Sequence, residues 1–303
     1  MMRTLLLELS ESNRLSRWVT TNGIARRMSH RFVAGETLDE AVTAARACNQ
    51  AGMTASLDHL GENVTSADEA RRARGAYLAI FDRIAQEKLD ANVSMKLTQL
   101  GLDLGDDFCR EQVETIVGRA AGYGNFARID MEGSVYTKRT VELVKRVRAT
   151  NAAVGTVIQS YLYGSEQDVK DLLALGCCIR LCKGAYKEPP EVAFPKKADV
   201  DDNYVKLMQL LLPSGTYHGI ATHDPRMIDA TVDFAAKQGI GKDRFEFQML
   251  YGIRTDLQRQ LVRDGYRMRI YIPYGTEWFP YFMRRLAERP ANLMFILRNL
   301  FRP

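Results

Sequence analysis

The chain has 303 residues, of which 46% are hydrophobic and 26% charged, and its net charge is +5. This composition is typical of a soluble globular protein and excludes a disordered, collagen-like or polytopic membrane protein. The apolar run at residues 5–7 ends at Glu8, so we expect no signal peptide. The five cysteines form no C-x-x-C motif, which favours reduced thiols in a cytoplasmic protein and no metal site.

Positive charge is concentrated towards the C-terminus. From residue 254 onward there are ten arginines and four acidic residues, a balance of +6, whereas the first 253 residues sum to −1. Such a segment fits nucleic acid, an anionic membrane surface or an internal site for an anionic ligand. Aromatic residues do not alternate with these arginines, which disfavours a single-strand nucleic-acid binder.

The sequence pattern changes near residue 50, from helical stretches alone to alternating strand-like and helical stretches. Residues 5–48 are typical of helices, with a capping box formed by Thr37 and Glu40. Amphipathic helices are then predicted at residues 66–88, 137–149, 166–175, 202–212, 225–238 and 254–264. Between such stretches lie short apolar runs that predict strands at residues 53–58, 92–97, 126–131, 155–159, 177–182, 219–223, 245–249 and 268–272.

The spacing of these runs predicts the fold. Their first residues lie about 31 residues apart, which matches the ~30 residues of a strand–helix–strand unit. Eight alternating strands and helices in about 240 residues fit a closed (β/α)8 barrel of the TIM type, in the α/β class, better than an open sheet. We therefore expect an N-terminal helical arm or cap at residues 1–50 and a distorted barrel at residues 51–303.

Each predicted strand ends in a polar side chain. These strand ends are Asp58 or His59, Lys96, Asp130, Gln159, Arg180 with Lys183, Thr222 with His223, Gln248, and Tyr271. Because active sites of such barrels lie at the carboxyl ends of the strands, this pattern predicts a catalytic mouth.

Common nucleotide-binding and hydrolase motifs are missing from the sequence. The glycines at residues 122–127 resemble a dinucleotide fingerprint but precede a predicted strand instead of following one. There is no Walker A loop and no G-x-S-x-G. A nucleotide cofactor would therefore be held by the barrel mouth itself.

Several segments together resemble the proline dehydrogenase family, in the short monofunctional bacterial form. They are residues 93–101, 128–132, 179–186, 221–224, 245–252 and 281–288, in the family's order. The resemblance extends over about residues 56–299. It implies oxidation of L-proline to Δ1-pyrroline-5-carboxylate, the first step of proline catabolism to glutamate. It also implies non-covalent FAD, hydride transfer from proline C5 to flavin N5, and a quinone as electron acceptor.

The same resemblance implies roles for individual residues. Arg284 and Arg285 would grip the proline carboxylate, and Lys96 would add a second contact. Asp130 would hold Lys96 in place or act on the amine proton, and Arg180 would lie beside flavin N5. The substrate wall would comprise Tyr186, Leu250 and Tyr271. Other flavin contacts would be Met131, Gln159, Lys183, Gly184, Ala185, Thr222 and His223.

Two acidic residues also fall on family positions near the site, namely Glu62 and Glu288. We expect Glu62 to pair with Arg180 as a gate when the site is empty. The resemblance further implies a cytoplasmic protein with peripheral contact at the inner face of the membrane. The Arg-rich end and the apolar residues 293–301 could serve that contact. A downstream pyrroline-5-carboxylate or glutamate semialdehyde dehydrogenase is the expected protein partner.

Two other functions fit the sequence. A barrel lyase or aldolase could form a Schiff base on Lys96 or Lys183 at a strand end. A non-enzymatic anion or nucleic-acid binder could use the Arg-rich end. The first predicts a colourless protein trapped by borohydride, and the second predicts steeply salt-dependent binding without a cofactor.

Overall fold

Eight parallel strands form a closed barrel in the order of the sequence. The computed structural model describes Ser29 and residues 31–288, with side chains of the last helix described through Arg285. Each strand pairs with the next along the chain, and the eighth pairs with the first. The strands are β1 Thr54–His59, β2 Ala91–Met95, β3 Ala127–Ile129, β4 Val154–Gln159, β5 Cys178–Cys182, β6 His218–Ala221, β7 Phe245–Leu250 and β8 Arg267–Tyr274. The predicted (β/α)8 barrel is confirmed, and every predicted run overlaps a strand.

Helices cover the outside of the barrel. They are α1 Leu38–Gln50, α2 Ala67–Gln86, α3 Asp106–Gly122, α4 Ser134–Thr150, α5 Ser165–Ala174, α6 Lys197–Leu211, α7 Pro225–Lys237, α8 Thr255–Arg263 and α9 Trp278–Glu288. All six helices predicted after residue 50 are confirmed, whereas α3 and α9 were not among them. Within the described residues, no helix is long and apolar enough to cross a membrane.

Local sequence explains where these helices begin and end. Thr37 and Glu40 form the predicted capping box of α1, and Ser66 and Glu69 form that of α2. Both boxes satisfy backbone N–H groups that the first helical turn leaves unpaired. Gly265 follows α8 in a left-handed backbone conformation (φ +83°), which residues with a side chain rarely adopt. This glycine therefore ends the helix.

One apolar core joins the strands to the helices. It includes the fully buried Leu57 and Val93 of the barrel and Tyr77 and Phe81 of α2. Helix α1 packs on β1 and β8, so residues 38–50 share this core. Residues 1–28 and 30 lie outside the described part, and the division into an arm and a barrel stays a prediction.

The barrel interior is polar where it approaches the mouth. Arg180 of β5 crosses the interior and donates hydrogen bonds to Ser94 of β2 and to Asp130, which follows β3. All three side chains are buried. Because a buried charge costs free energy unless it is paired and hydrogen-bonded, this end of the barrel is where function is expected.

Candidate active site

A cavity of about 660 Å³ opens at the carboxyl ends of the strands, which is the usual size of a ligand site. Its wall contains every predicted site residue except Glu62 and Glu288. These residues are Lys96, Asp130, Met131, Gln159, Arg180, Lys183, Gly184, Ala185, Tyr186, Thr222, His223, Leu250, Tyr271, Arg284 and Arg285. Glu62 lines a neighbouring cavity. The side chain of Glu288 lies outside the described residues.

Lys96 is paired with Asp58, so of the two roles expected of Asp130, that of holding Lys96 in place falls to Asp58. The Lys96 Nζ lies 3.1 and 3.0 Å from the two carboxylate oxygens of Asp58. Asp58 lies opposite Ser94 on the adjacent strand β1, which brings its carboxylate to the lysine two residues further along. Burial opposes the charge of Lys96, but the carboxylates of Asp58 and Asp130 outweigh it and hold the pKa of Lys96 well above its usual range.

Asp130 is bound to two other cavity residues instead. Arg180 Nη1 donates to Asp130 Oδ1 at 2.8 Å, and the Tyr271 hydroxyl donates to Oδ2 at 2.7 Å. The Arg180 guanidinium also lies over the Tyr271 ring, 5.1 Å from its centre. Burial and the neighbouring carboxylate of Asp130 raise the pKa of Tyr271 well above its usual range, so this hydroxyl stays a donor.

Glu62 pairs with Arg284, and the expected pairing with Arg180 is wrong. The Arg284 Nη2 lies 2.6 Å from Glu62 Oε1. Arg180 is held inside the barrel, whereas Glu62 lies on the loop after β1, where α9 presents Arg284. Burial opposes the charge of Arg284, but Glu62 outweighs it and raises the pKa.

This ion pair lies beside two cavities at once. Arg284 and Tyr186 line both the cavity at the barrel mouth and a neighbouring one of about 1140 Å³, and Glu62 lines the second. The Arg284 guanidinium lies 5.8 Å from the centre of the Tyr186 ring. Arg285 is buried and lies 5.1 Å from the centre of the Tyr281 ring. Two successive arginines of α9 thus reach the same cavity.

The opposite wall of the cavity is built from the loops after β4, β5 and β6. Lys183 binds Asp201 at 2.5 Å and Asp224 at 2.8 Å. Gly184 adopts φ +112°, and a Cβ there would overlap the Tyr161 ring, so only glycine fits. His223 accepts a hydrogen bond from the Leu250 backbone N–H. This bond ties the loop after β6 to the end of β7.

One buried acceptor in this wall has no partner within the described residues. Gln159 donates from Nε2 to the Met131 carbonyl at 3.3 Å, whereas its buried Oε1 accepts no hydrogen bond there. Buried polar atoms are nearly always satisfied, so an orphaned acceptor beside a cavity indicates a ligand donor. Within residues 31–285, no group of three or more His, Cys, Asp or Glu side chains could hold a metal ion.

Sequence reasoning missed several residues of this site. Asp58 and Gln248 were recognised as strand ends, but nothing in the sequence revealed their partners Lys96 and Arg180. The wall also contains the cations Lys197, Arg226 and Arg254. They lie at or near the starts of α6, α7 and α8, where no strand-end rule applies.

A closed parallel barrel with paired charges and a large cavity at its mouth defines the class of (β/α)8 barrel enzymes. The family model described as Proline dehydrogenase matches residues 41–298. Proline dehydrogenase 2 of Bacillus subtilis (strain 168) is 42% identical over 298 residues, which cover 98% of each chain. Proline dehydrogenase of Deinococcus radiodurans is 41% identical over 280 residues, or 91% of this chain and 90% of that one. The chain belongs to the proline dehydrogenase family, as its motifs predicted.

A solved structure shares the fold. Proline utilization A (PutA) from Bdellovibrio bacteriovorus, inactivated by N-propargylglycine, matches with a TM-score of 0.82 at 28% identity. The match covers 87% of this chain and 33% of that one, so the chain spans about a third of that protein. The bifunctional protein PutA of Escherichia coli (strain K12) is 27% identical over 319 residues, 90% of this chain and 24% of that one.

Proposed function

We propose that this chain is an FAD-dependent enzyme that oxidises L-proline to Δ1-pyrroline-5-carboxylate. The observation that carries the proposal is one cavity wall that combines the cations Lys96, Arg284 and Arg285 with the aromatic rings of Tyr186 and Tyr271. Proline joins an anionic carboxylate to an apolar ring, and this wall is complementary to both parts. Membership of the proline dehydrogenase family supports the same substrate.

The polar groups of the cavity fit a flavin. The orphaned Oε1 of Gln159 suits a ring N–H donor, and Gly184 allows close approach of the backbone. Lys183 and Arg226, which Asp201 and Asp224 hold in place, are the candidate hydrogen-bond donors to a pyrophosphate. We assign the remaining flavin contacts to Met131, Arg180, Ala185, Thr222 and His223. The chemistry that FAD supplies when bound is acceptance, at N5, of the hydride that leaves proline C5.

Substrate binding falls to the three cations. Arg284 and Arg285 present planar donor forks that match a carboxylate, and each charge-assisted hydrogen bond contributes ~1.5–3 kcal/mol. Lys96 keeps its charge in the buried site because the carboxylate of Asp58 stabilises the ammonium group. The apolar ring of proline would contact Tyr186, Leu250 and Tyr271.

Asp130 and Arg180 are the proposed catalytic residues. Arg180 presents a fixed cation to the negative charge that develops during oxidation, which is electrostatic stabilisation by a preorganised group. Asp130 is the candidate acceptor of the amine proton. Its carboxylate lines the cavity and is held in place by Arg180 and Tyr271.

Glu62 acts as a gate in this proposal, with Arg284 as its partner. While Glu62 occupies the guanidinium of Arg284, that group offers fewer donors to an incoming carboxylate. Proline would compete with Glu62 for Arg284 and so open the contact between the two cavities. Glu288 stays a proposed neighbour of the site on sequence grounds alone.

The electron acceptor and partners are further parts of the proposal. We expect a quinone to accept the electrons and a pyrroline-5-carboxylate or glutamate semialdehyde dehydrogenase to use the product. Relatives named bifunctional, of which this chain spans about a quarter, support a linked second activity.

We propose a cytoplasmic location with peripheral contact at the inner face of the membrane. Residues 293–301, which would serve that contact, lie outside the described part. Liposome flotation with oxidised and reduced protein tests it.

The lysine-based lyase is disfavoured by the site. A Schiff-base lysine must be neutral to attack a carbonyl. Lys96 is held protonated by Asp58, and Lys183 is bound by both Asp201 and Asp224. Both amines are therefore engaged by carboxylates.

The decisive test is the visible absorption spectrum of the purified protein before and after anaerobic L-proline. A flavin spectrum that proline bleaches is the expected result. A flavin that proline leaves oxidised would move the substrate elsewhere, and no flavin even after incubation with FAD would overturn the proposal. N-propargylglycine, which inactivated the PutA of Bdellovibrio bacteriovorus, should also abolish the bleaching. Borohydride with substrate should trap no adduct.

A further inference from the structure

A buried chain of hydrogen bonds leads from Arg180 to the far wall of the barrel. Arg180 Nε donates to Gln248 Oε1 at 2.5 Å, and Gln248 Nε2 donates to Glu246 Oε1 at 2.6 Å. Arg269 Nε donates to the same Glu246 oxygen at 2.6 Å and is tied by Nη1 to the Ala55 carbonyl of β1. Glu246 and Gln248 are 2% and 3% exposed, so water does not replace these bonds.

Glu246 determines which way the amide of Gln248 faces. Burial opposes ionisation of Glu246, but the charge of Arg269 outweighs it and lowers the pKa of the carboxyl. An ionised carboxylate only accepts hydrogen bonds, so it selects the NH2 end of the Gln248 amide. The carbonyl end is then left to face Arg180 Nε. In the reversed orientation the amide NH2 would face the Arg180 N–H, and the amide oxygen would face the Glu246 carboxylate. Neither contact could then form a hydrogen bond.

The neighbouring strand leaves room for this amide. Gly219 of β6 lies opposite both Arg180 and Glu246 in the sheet. A Cβ at residue 219 would overlap Gln248 Nε2 and push the amide out of its place. The φ angle of Gly219 lies outside the left-handed region, so its backbone conformation does not require glycine. The space taken by the Gln248 side chain is what requires a glycine there.

The bond from Gln248 completes the fixation of the Arg180 guanidinium. Asp130 accepts from Nη1 and Ser94 accepts from Nη2, both on the outer edge of the group. Gln248 accepts from Nε, on the side of the stem. Together with Ser56, which accepts a longer bond from Nη2 at 3.4 Å, these acceptors around one planar group define both its position and its plane.

We propose that Glu246 and Gln248 are positioning residues, in which Glu246 orients Gln248 and Gln248 fixes the plane of Arg180 in the cavity. The inference rests on the proposed role of Arg180 beside the flavin. Gln248 lines the cavity, whereas Glu246 does not. A change at Glu246 therefore reports on the chain of bonds and not on a direct ligand contact.

The test compares Glu246→Gln with wild-type protein loaded with FAD. A neutral amide at residue 246 no longer selects one orientation of Gln248. We expect the rate constant of flavin reduction at saturating proline to fall about tenfold, as for the loss of one hydrogen bond in the transition state. The proline KM should change less than about twofold, because the carboxylate contacts are untouched. The flavin midpoint potential, measured without proline, should fall as the cation is displaced.

Two further variants keep the test decisive. Tyr217→Phe removes the hydrogen bond to the other oxygen of Glu246 without touching Gln248, and should leave rate and potential unchanged. Gly219→Ala displaces the Gln248 amide without changing any charge, and should reproduce the lower rate and potential. It decides the matter if Glu246→Gln fails to fold.

Wild-type rate and potential in both Glu246→Gln and Gly219→Ala would overturn the positioning role. Equal losses in Tyr217→Phe would overturn it too, since they would indicate general destabilisation. If proline fails to reduce wild-type flavin, the proposed function fails, whereas the potentials of the variants still test the positioning of Arg180.

Discussion

Buried polar groups at the mouth of the barrel and His218 at the amino end of β6 are stabilised in opposite ways. At the mouth acidic and basic side chains are paired, as in Lys96–Asp58 and Arg180–Asp130. At the amino end of β6, His218 is buried and accepts a hydrogen bond at Nδ1 from the Ile179 backbone N–H. Burial and the nearby charge of Arg128 lower the pKa of His218 to about 4, so the ring is neutral. Buried charges are costly even when paired, and the two pairs at the mouth lie where a ligand needs them, whereas the buried pair Glu246–Arg269 lies outside the cavity lining.

The largest expected effect comes from removing a charge at the mouth. Lys96→Met should lower kcat/KM for proline by about 10²–10³ because a preorganised donor is lost. It should also lower the free energy of unfolding by ~3–5 kcal/mol, because Asp58 is left buried and unpaired. Steady-state kinetics and urea unfolding measure the two effects.

A double variant separates function from stability at this pair. Asp58→Asn added to Lys96→Met removes the unpaired charge, so stability should largely return whereas activity should not. Recovery of activity together with stability would contradict a role of Lys96 in binding proline.

A smaller effect is expected from changing the shape of a cation at the mouth. Arg284→Lys keeps the charge but loses the planar fork, so the proline KM should rise about 10–100-fold with a smaller change in kcat. Arg254→Lys makes the same replacement on the same wall, at a residue outside the proposed carboxylate site. Its proline KM should match wild type. Equal KM values for the two variants would argue against Arg284 as a carboxylate ligand.

The buried neutral ring of His218 should contribute to acid sensitivity. The folded pKa of His218, about 4, lies below its usual value of 6.5, so the ring favours folding above pH 6.5 and loses that stabilisation as pH falls through 4. The difference corresponds to about 3 kcal/mol. Urea unfolding of wild type between pH 7 and 4 should show this loss, and His218→Asn should show a shallower dependence. Identical pH dependences would rule out His218 as the source.

The smallest effect is expected from the ion pair beside the mouth. Glu62→Gln releases Arg284 from its partner, so the association rate of proline should rise roughly twofold to fivefold, as suits a pair that is only partly buried. Stopped-flow measurement of proline binding tests this, and kcat should be unchanged. Proline binding identical to wild type would remove the gate from the proposal.

Much of this architecture could be read from the sequence. Alternating apolar runs and helical stretches predicted the barrel, because a strand buried on both faces needs continuous apolar residues whatever its neighbours are. The polar strand ends, such as Lys96, Asp130 and Tyr271, predicted the mouth because active sites of such barrels lie at the carboxyl ends of the strands. Motifs around these residues predicted the family.

The pairings within the site could not be read in the same way. Lys96 binds Asp58 and not Asp130, and Glu62 binds Arg284 and not Arg180. Which carboxylate meets which cation depends on strand register and on the path of loops after each strand. Neither leaves a local signal in the sequence.

The sequence by itself determined the eightfold alternation, the helix caps and the set of groups at the mouth, because these depend on residues near one another in the chain. Only the tertiary structure decided how those groups are joined. Closure of β8 on β1 brings Tyr271 to Asp130, and the interior joins Arg180 to Gln248, Glu246 and Arg269. Hydrogen bonds act over about 3 Å, and the packed barrel alone sets which donors and acceptors come that close.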